Sequence, residues 1–248
     1  MLSSKILKNI EFRTVEIFEE DGFEEIHIPI LDFSPDKRAL HIREDFTYEV
    51  VKLIQDKKVY YRGNIIRTSQ FGKPKEIYQI GCEIVRSVSL KESDVIDCAK
   101  TLNRVIQEIE KITDQKVLLM IGHYGLTTSI LKDSSNLFFV KNITKISELV
   151  SSGKLDRRLA RIFFKVVKDL DEIKAVIKDV PEDIEIFSKI IKSQKVYNLS
   201  EKVEKDYYDG IIFHGFLEER KILGGGKYRI DSKEGIGFSL NLFSVGII

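Results

Sequence analysis

The sequence predicts an α+β domain, an antiparallel sheet flanked by helices. Three observations point there. Residues 57–87 read as a long β-hairpin, residues 91–113 carry a helical apolar stripe, and strand patterns return after residue 205. Between the last two lies a mostly helical stretch, about 125–200, read as an insertion within one domain spanning 1–248. A chain of 248 residues buries a sizeable core without disulfides or metals.

Each element has a local reason. Residues 4–20 form a helix because Ile6, Leu7, Ile10, Ile17 and Phe18 recur at helical spacing, and Asp21-Gly22 stops it. EEIHIPI is β-branched and alternating, so it reads as a strand ending near Pro29. Asp32 to Lys37 reads as a loop and Ala39 to Ile42 as a short strand, after which Asp45 caps the helix FTYEVVKLIQ. KKVYYRGNIIRTS and KEIYQIGCEIVRS are the hairpin strands, joined by QFGKPK. In the helix that follows, Val95, Cys98, Leu102, Val105, Ile106 and Ile109 share one side. KVLLMIGH is a buried-type strand. Helical patterns then continue to about residue 196, through ISELVSSG, the run LDRRLARIFFKVVKDLDEIKAVI and a helix after Pro181. DYYDGIIFHGFLEE, KILGGGKYRI and GIGFSLNLF close the chain as strands.

Composition excludes several function classes. Forty Lys+Arg against 39 Asp+Glu leave a net charge of +1, which speaks against a polybasic nucleic-acid binder. No apolar run is long enough to span a membrane, and the first residues lack the apolar centre of a signal peptide. Cys82 and Cys98 have no metal or disulfide spacing, so a reducing cytoplasm is expected. The four histidines are scattered, and no metal site or cofactor is expected.

Most residues with chemistry also have a plain structural reading. On the second hairpin strand, Tyr78, Ile80, Cys82 and Ile84 point to one face, and Gln79, Gly81 and Glu83 to the other. An amide and a carboxylate flanking a glycine suit a small polar ligand, yet a solvent-facing sheet is the favoured reading of this strand alone. Gly224-Gly225-Gly226 would let backbone approach a ligand, but a turn or bulge between strands explains it better. Arg67 shares a strand face with Tyr61 and Gly63 and could reach an anion. Of Tyr207 and Tyr208, one is expected in the core and the other in a pocket.

In order, these pieces resemble the histidyl-tRNA synthetase core, a class II aminoacyl-tRNA synthetase fold. The resemblance rests on GFEEIHIPIL, ALHIREDFT, the hairpin ending in QIGCE, DYYDGIIF, GGGKY and GIGFSLNL. The family carries LRPEGT, an arginine at the end of a hairpin strand, QxGxE, YYTG and GGGRY in that order. It implies a histidine pocket in which Gln79 and Glu83 grip the substrate and Asp45 and Thr47 hold its amino group. Tyr208 would lie beside the imidazole, with Arg67 near the carboxylate.

The departures are informative. Val203 and Ser244 stand where the synthetases place arginines, and Ser69 where they place a carboxylate. Adenylation needs positive groups as charge moves onto phosphate, so aminoacylation is expected to be lost and no catalytic residue is assigned. The chain ends just after the last strand, so neither an anticodon-binding domain nor a tRNA partner is expected. This combination resembles the regulatory subunits of ATP phosphoribosyltransferase, as does the Asp in REDFT. That resemblance implies a cytoplasmic, non-catalytic subunit in the first step of histidine biosynthesis. Such a subunit pairs with the short catalytic subunit in a hetero-octamer, activates it and mediates feedback inhibition by histidine. The alternative is a minimal synthetase-like ligase that activates an amino acid.

Overall fold

The computed structural model describes residues 4–33, 40–42, 45–68, 74–203 and 205–242. The first helix, α1 (Ser4–Glu20), buries Ile10, Thr14, Ile17 and Phe18. It closes with a Schellman turn. Gly22 takes a left-handed φ of 82°, its N–H donates to Glu19 O at 3.0 Å, and Phe23 N–H donates to Phe18 O at 2.9 Å. The Phe18 and Phe23 rings then meet at 5.8 Å, the apolar contact that accompanies this cap.

Strand β1 (Glu24–Glu25) is shorter than the alternation predicts. β2 (Leu31–Phe33) and β3 (Leu40–Ile42) pair as a separate two-stranded ribbon, so Asp32 and Phe33 belong to a strand rather than a loop. Helix α2 (Thr47–Leu53) leads into the long hairpin of β4 (Lys57–Thr68) and β5 (Pro74–Arg86). Helix α3 (Glu92–Thr113) buries the whole stripe read from the sequence. Its first turn is tied by Lys91 N–H donating to Asp94 at 2.9 Å, and Asp94 also pairs with Arg86.

Strand β6 (Val117–His123) precedes six short helices, α4 (Tyr124–Leu131), α5 (Ser135–Phe139), α6 (Ile143–Ser151), α7 (Arg157–Phe164), α8 (Leu170–Lys174) and α9 (Glu182–Ile190). The run predicted as continuous helix breaks between α7 and α8. There Val167 is buried in an extended bridge to Tyr197, and Asp169 accepts from Asp171 N–H at 3.0 Å to start the next helix. The helical region also ends earlier than expected, because β7 (Gln194–Tyr197) is a strand. The last three strands are β8 (Tyr208–Leu217), β9 (Arg220–Ile230) and β10 (Lys233–Asn241). The glycine triplet is no turn. It lies inside β9, where a side chain on Gly225 would strike the Gly237 carbonyl and Phe238.

The main sheet has eight strands in the order β1-β4-β5-β10-β9-β8-β6-β7. Its six inner strands are antiparallel, as predicted, while β1 and β7 add in parallel at the two edges and make the sheet mixed. One face packs against α1 and α3 through Ile80, Cys82, Ile84, Ile236 and Phe238. On the other face, α2 packs over β4 and β5 through Phe46, Val50, Val51, Val59 and Tyr61. That second face carries the pocket.

Candidate functional site

Cross-strand register sets the floor of the pocket. Glu83 lies opposite Gly237, and Gly237 opposite Gly226. One row along the strands, Tyr61, Gly81, Ser239, Gly224 and His214 are neighbours. Paired residues in an antiparallel sheet share a face, so glycines from three strands open a depression among larger side chains. Gly237 is required for steric reasons, since a Cβ there would overlap the Glu83 carboxylate and the Cys82 carbonyl.

Glu83 is the centre of the site. It is 2% exposed and accepts three hydroxyl hydrogen bonds: Thr47 Oγ1 at 2.8 Å and Tyr61 Oη at 3.4 Å on Oε1, and Tyr228 Oη at 2.8 Å on Oε2. Burial pushes its carboxyl up to about 8 and the nearby Asp45 charge adds to the shift, while the Thr47, Tyr228 and Tyr61 hydroxyls oppose it. The solvent-facing reading of Gln79 and Glu83 is therefore overturned. Helix α2 and the Tyr207–Tyr208 segment cover the face that the strand's alternation leaves open.

Asp45 stands at the start of α2 and accepts Thr47 N–H at 2.9 Å on Oδ1, as predicted for a cap, although Phe46 is the residue that immediately precedes the helix. Its other oxygen accepts Tyr207 Oη at 2.8 Å. Burial first, then Tyr208 and Asp45, hold the Tyr207 hydroxyl far above its usual range. Tyr207 and Tyr208 both line the pocket, so the expectation that one would be core is corrected. Their rings are 5.0 Å apart, and Tyr228 meets Tyr207 at 5.8 Å to form an aromatic wall.

Gln79 is also 2% exposed. Its amide nitrogen donates to Asn241 Oδ1 at 2.8 Å and Ser239 Oγ at 3.3 Å, so its carbonyl oxygen is the group it can offer a ligand donor. Arg67 lines the same pocket from β4. All six residues named from the sequence, Asp45, Thr47, Arg67, Gln79, Glu83 and Tyr208, thus border one cavity.

Sequence reasoning did not assign Tyr61, Tyr207, Tyr228, Lys205 or Lys221 to the site. Tyr61 had a signal, its shared parity with Arg67 on β4. Tyr228 and Lys221 depend on register between strands distant in sequence, and Lys205 and Tyr207 on where the segment before β8 lies. Val203 lines the pocket, while Ser69 and Ser244 lie outside the described residues. Of the histidines, His123 pairs with Asp183 at 3.3 Å and caps α4, and His214 pairs with Glu201 at 3.3 Å at the pocket edge. Among the described residues no cluster of His, Cys, Asp or Glu is suited to a metal ion, and no helix is long and apolar enough to cross a membrane.

Chemically, two carboxylates among tyrosine rings form a seat for a cationic nitrogen. Ammonium or imidazolium would find the Asp45 carboxylate, hydroxyl oxygens and π-faces there, and would favour the charged form of Glu83 against its burial.

Comparison with known proteins bears on the family and the fold. Among curated proteins, the chain is 26% identical over 281 aligned positions to the ATP phosphoribosyltransferase regulatory subunit of Bacillus cereus (strain AH187), covering 90% of this chain and 66% of that protein. The protein of the same name from Bacillus thuringiensis (strain Al Hakam) is 25% identical with the same coverage. The chain therefore spans about two thirds of the length of these relatives. Its fold is shared with a chain of the ATP phosphoribosyl transferase (HisG:HisZ) complex from Thermotoga maritima. The TM-score is 0.75 at 22% identity, over 95% of this chain and 97% of that one. Histidyl-tRNA synthetase from Nostoc sp. PCC 7120 shares it as well, with a TM-score of 0.69 at 14% identity, over 97% of this chain and 70% of that one. A family model described as histidyl-tRNA synthetase matches residues 34–245, which is most of the sequence. The chain belongs to the histidyl-tRNA synthetase family.

Proposed function

We propose that this chain is a regulatory subunit of ATP phosphoribosyltransferase and that its pocket binds histidine as the feedback effector. The observation that carries the pocket assignment is Glu83, a buried carboxylate set among three hydroxyls beside a second carboxylate. A bound imidazolium or ammonium would stabilise that charge where water does not reach it. The curated relatives, named as regulatory subunits, support the role. On this reading the partner is a short catalytic subunit, joined in a hetero-octamer in the cytoplasm. The domain is a single synthetase-like unit with α4–α9 as its helical insertion.

Feedback follows if histidine binds one conformation of the complex better than another; equal affinity would shift nothing. Asp45, Thr47, Gln79, Glu83 and Tyr208 are the sensing residues, with Arg67 on the carboxylate side. Glu83→Ala is expected to raise the histidine concentration needed for half-inhibition at least tenfold while the two subunits still co-elute. The decisive assay is phosphoribosyltransferase activity of the short catalytic subunit across a histidine titration, with and without this chain. No effect of the chain on either activity or inhibition would end the proposal.

One observation favours a rival. Lys205 and Lys221 bring cations into the pocket, as an amino-acid-activating ligase requires. The regulatory reading expects no histidine-dependent ATP–pyrophosphate exchange, because Val203 replaces the arginine that the synthetases place there. Robust exchange would favour the ligase.

A further inference from the structure

We propose that the groove between α6 and α7 docks an amphipathic helix of a partner protein, one with carboxylates a single turn apart beside its apolar stripe. The groove shares no lining residue with the pocket around Glu83.

The sequence builds this groove locally. At helical spacing, α6 presents Ile143, Ile146 and Val150, and α7 presents Arg157, Arg161 and Phe164. Ile146 is buried and belongs to the floor. The two helices form a fixed hairpin. Gly153 takes a left-handed φ of 69°, its N–H donates to Val150 O at 3.1 Å, and Lys154 N–H donates to Leu149 O at 3.0 Å. Asp156 then caps α7 by accepting Leu159 N–H at 2.9 Å.

Two features mark the groove as a docking surface. Its apolar side chains are open to solvent, with Ile143 62% exposed and Phe164 37%. Its cations are also unanswered. Among the described residues, Arg157 and Arg161 make no ion pair and no hydrogen bond, whereas Arg86 and Arg104 are each held by carboxylates. The nearby acids do not fill the gap: Asp156 is occupied by its cap, and Glu148 is not part of the groove lining.

The charges specify the occupant. Arg157 and Arg161 are four residues apart on one face of α7, roughly 6 Å along its axis. Carboxylates at i and i+4 of a helix lying alongside repeat at the same interval, and its apolar stripe would cover Ile143, Val150 and Phe164. A nucleic-acid strand fits less well. Its phosphates could meet the arginines, but it has no aliphatic surface to cover Ile143. Lys141 Nζ already stands 5.5 Å from the Phe164 ring centre, over the ring on which a base would stack.

The test begins with a photo-crosslinking amino acid at Ser147, which lines the groove of the intact chain. Irradiation in a lysate of its own cells, followed by sequencing of the attached segment, identifies the occupant. A synthetic copy of that segment is then titrated by fluorescence anisotropy. The expected segment is an amphipathic helix with Asp or Glu at i and i+4. Combining Arg157→Glu with Arg161→Glu should weaken it about tenfold, and Lys in place of the peptide's carboxylates should restore binding to that double variant. Ile143→Asp should weaken the original peptide by a similar factor, with thermal melts unchanged because all three side chains are exposed. The proposal is overturned if the crosslink falls on RNA, on a second copy of this chain or on a segment without paired carboxylates. It is overturned equally if no crosslink forms, or if reversing the arginines leaves the peptide's affinity unchanged.

Discussion

The two faces of β5 solve the same problem in opposite ways. Both are buried. Toward α3, Ile80, Cys82 and Ile84 exclude water with apolar surface, and that burial stabilises the fold directly. Toward the pocket, Gln79 and Glu83 are as deeply buried, yet each depends on hydrogen bonds from other segments to offset lost hydration. One face therefore serves stability, and the other holds the polar groups that the proposed function assigns to a ligand. Burial alone does not separate the two; the partner of each buried group does.

The sharpest way to break this contrast is to damage the apolar face. Leu102→Ala, on α3, should cost about 2–5 kcal/mol in urea denaturation and leave ligand affinity of the folded protein unchanged. A parallel loss of affinity would mean that the faces are not independent.

The pocket face makes a prediction of opposite sign. Glu83 is raised from 4.5 to about 8, so the folded state holds its proton more tightly than the unfolded chain. Stability should then fall as pH rises from about 4.5 to 8, and the effect is on the order of a few kcal/mol. Glu83→Gln should remove that slope and exceed the parent in stability at pH 8. Parallel stability–pH curves for the two proteins would contradict the contrast.

The smallest expected effect compares two tyrosines. Tyr228→Phe removes a donor from buried Glu83 and should cost about 1–2 kcal/mol above pH 8. Tyr60→Phe removes a 2.9 Å bond to exposed Glu19 and should cost well under 1 kcal/mol. Equal losses in thermal melts at pH 9 would show that the pocket hydroxyls are ordinary surface-type bonds.

Much of this was legible in the chain because the cues were local. The alternation of β5, the apolar stripe of α3 and the Asp21-Gly22 stop each report on neighbours a few residues away. What depended on distant partners was not. β7 is only four residues long and starts soon after α9, and its place is set by β6. Gly224-Gly225-Gly226 looks like a turn until Gly237 and Phe238 lie beside it. The alternation of β5 placed Gln79 and Glu83 on one face, but only α2 and the tyrosine segment decide that this face is dry. The resemblance supplied the six site residues; the hydrogen bonds of the tyrosine hydroxyls and the place of the two lysines came only with the tertiary structure.

Helix α2 offers a last consequence. It is fastened to the sheet by Thr47 on Glu83 and by Lys233 Nζ on the carbonyls of Val51 and Ile54 at 2.6 and 2.8 Å, while Asp45 ties its start to Tyr207. A molecule seated among Asp45, Glu83 and Tyr208 would act as a rivet through three separate plates: the α2 entry, the hairpin and the segment leading into β8. A small effector would thereby have mechanical leverage on the outer surface without needing to touch it.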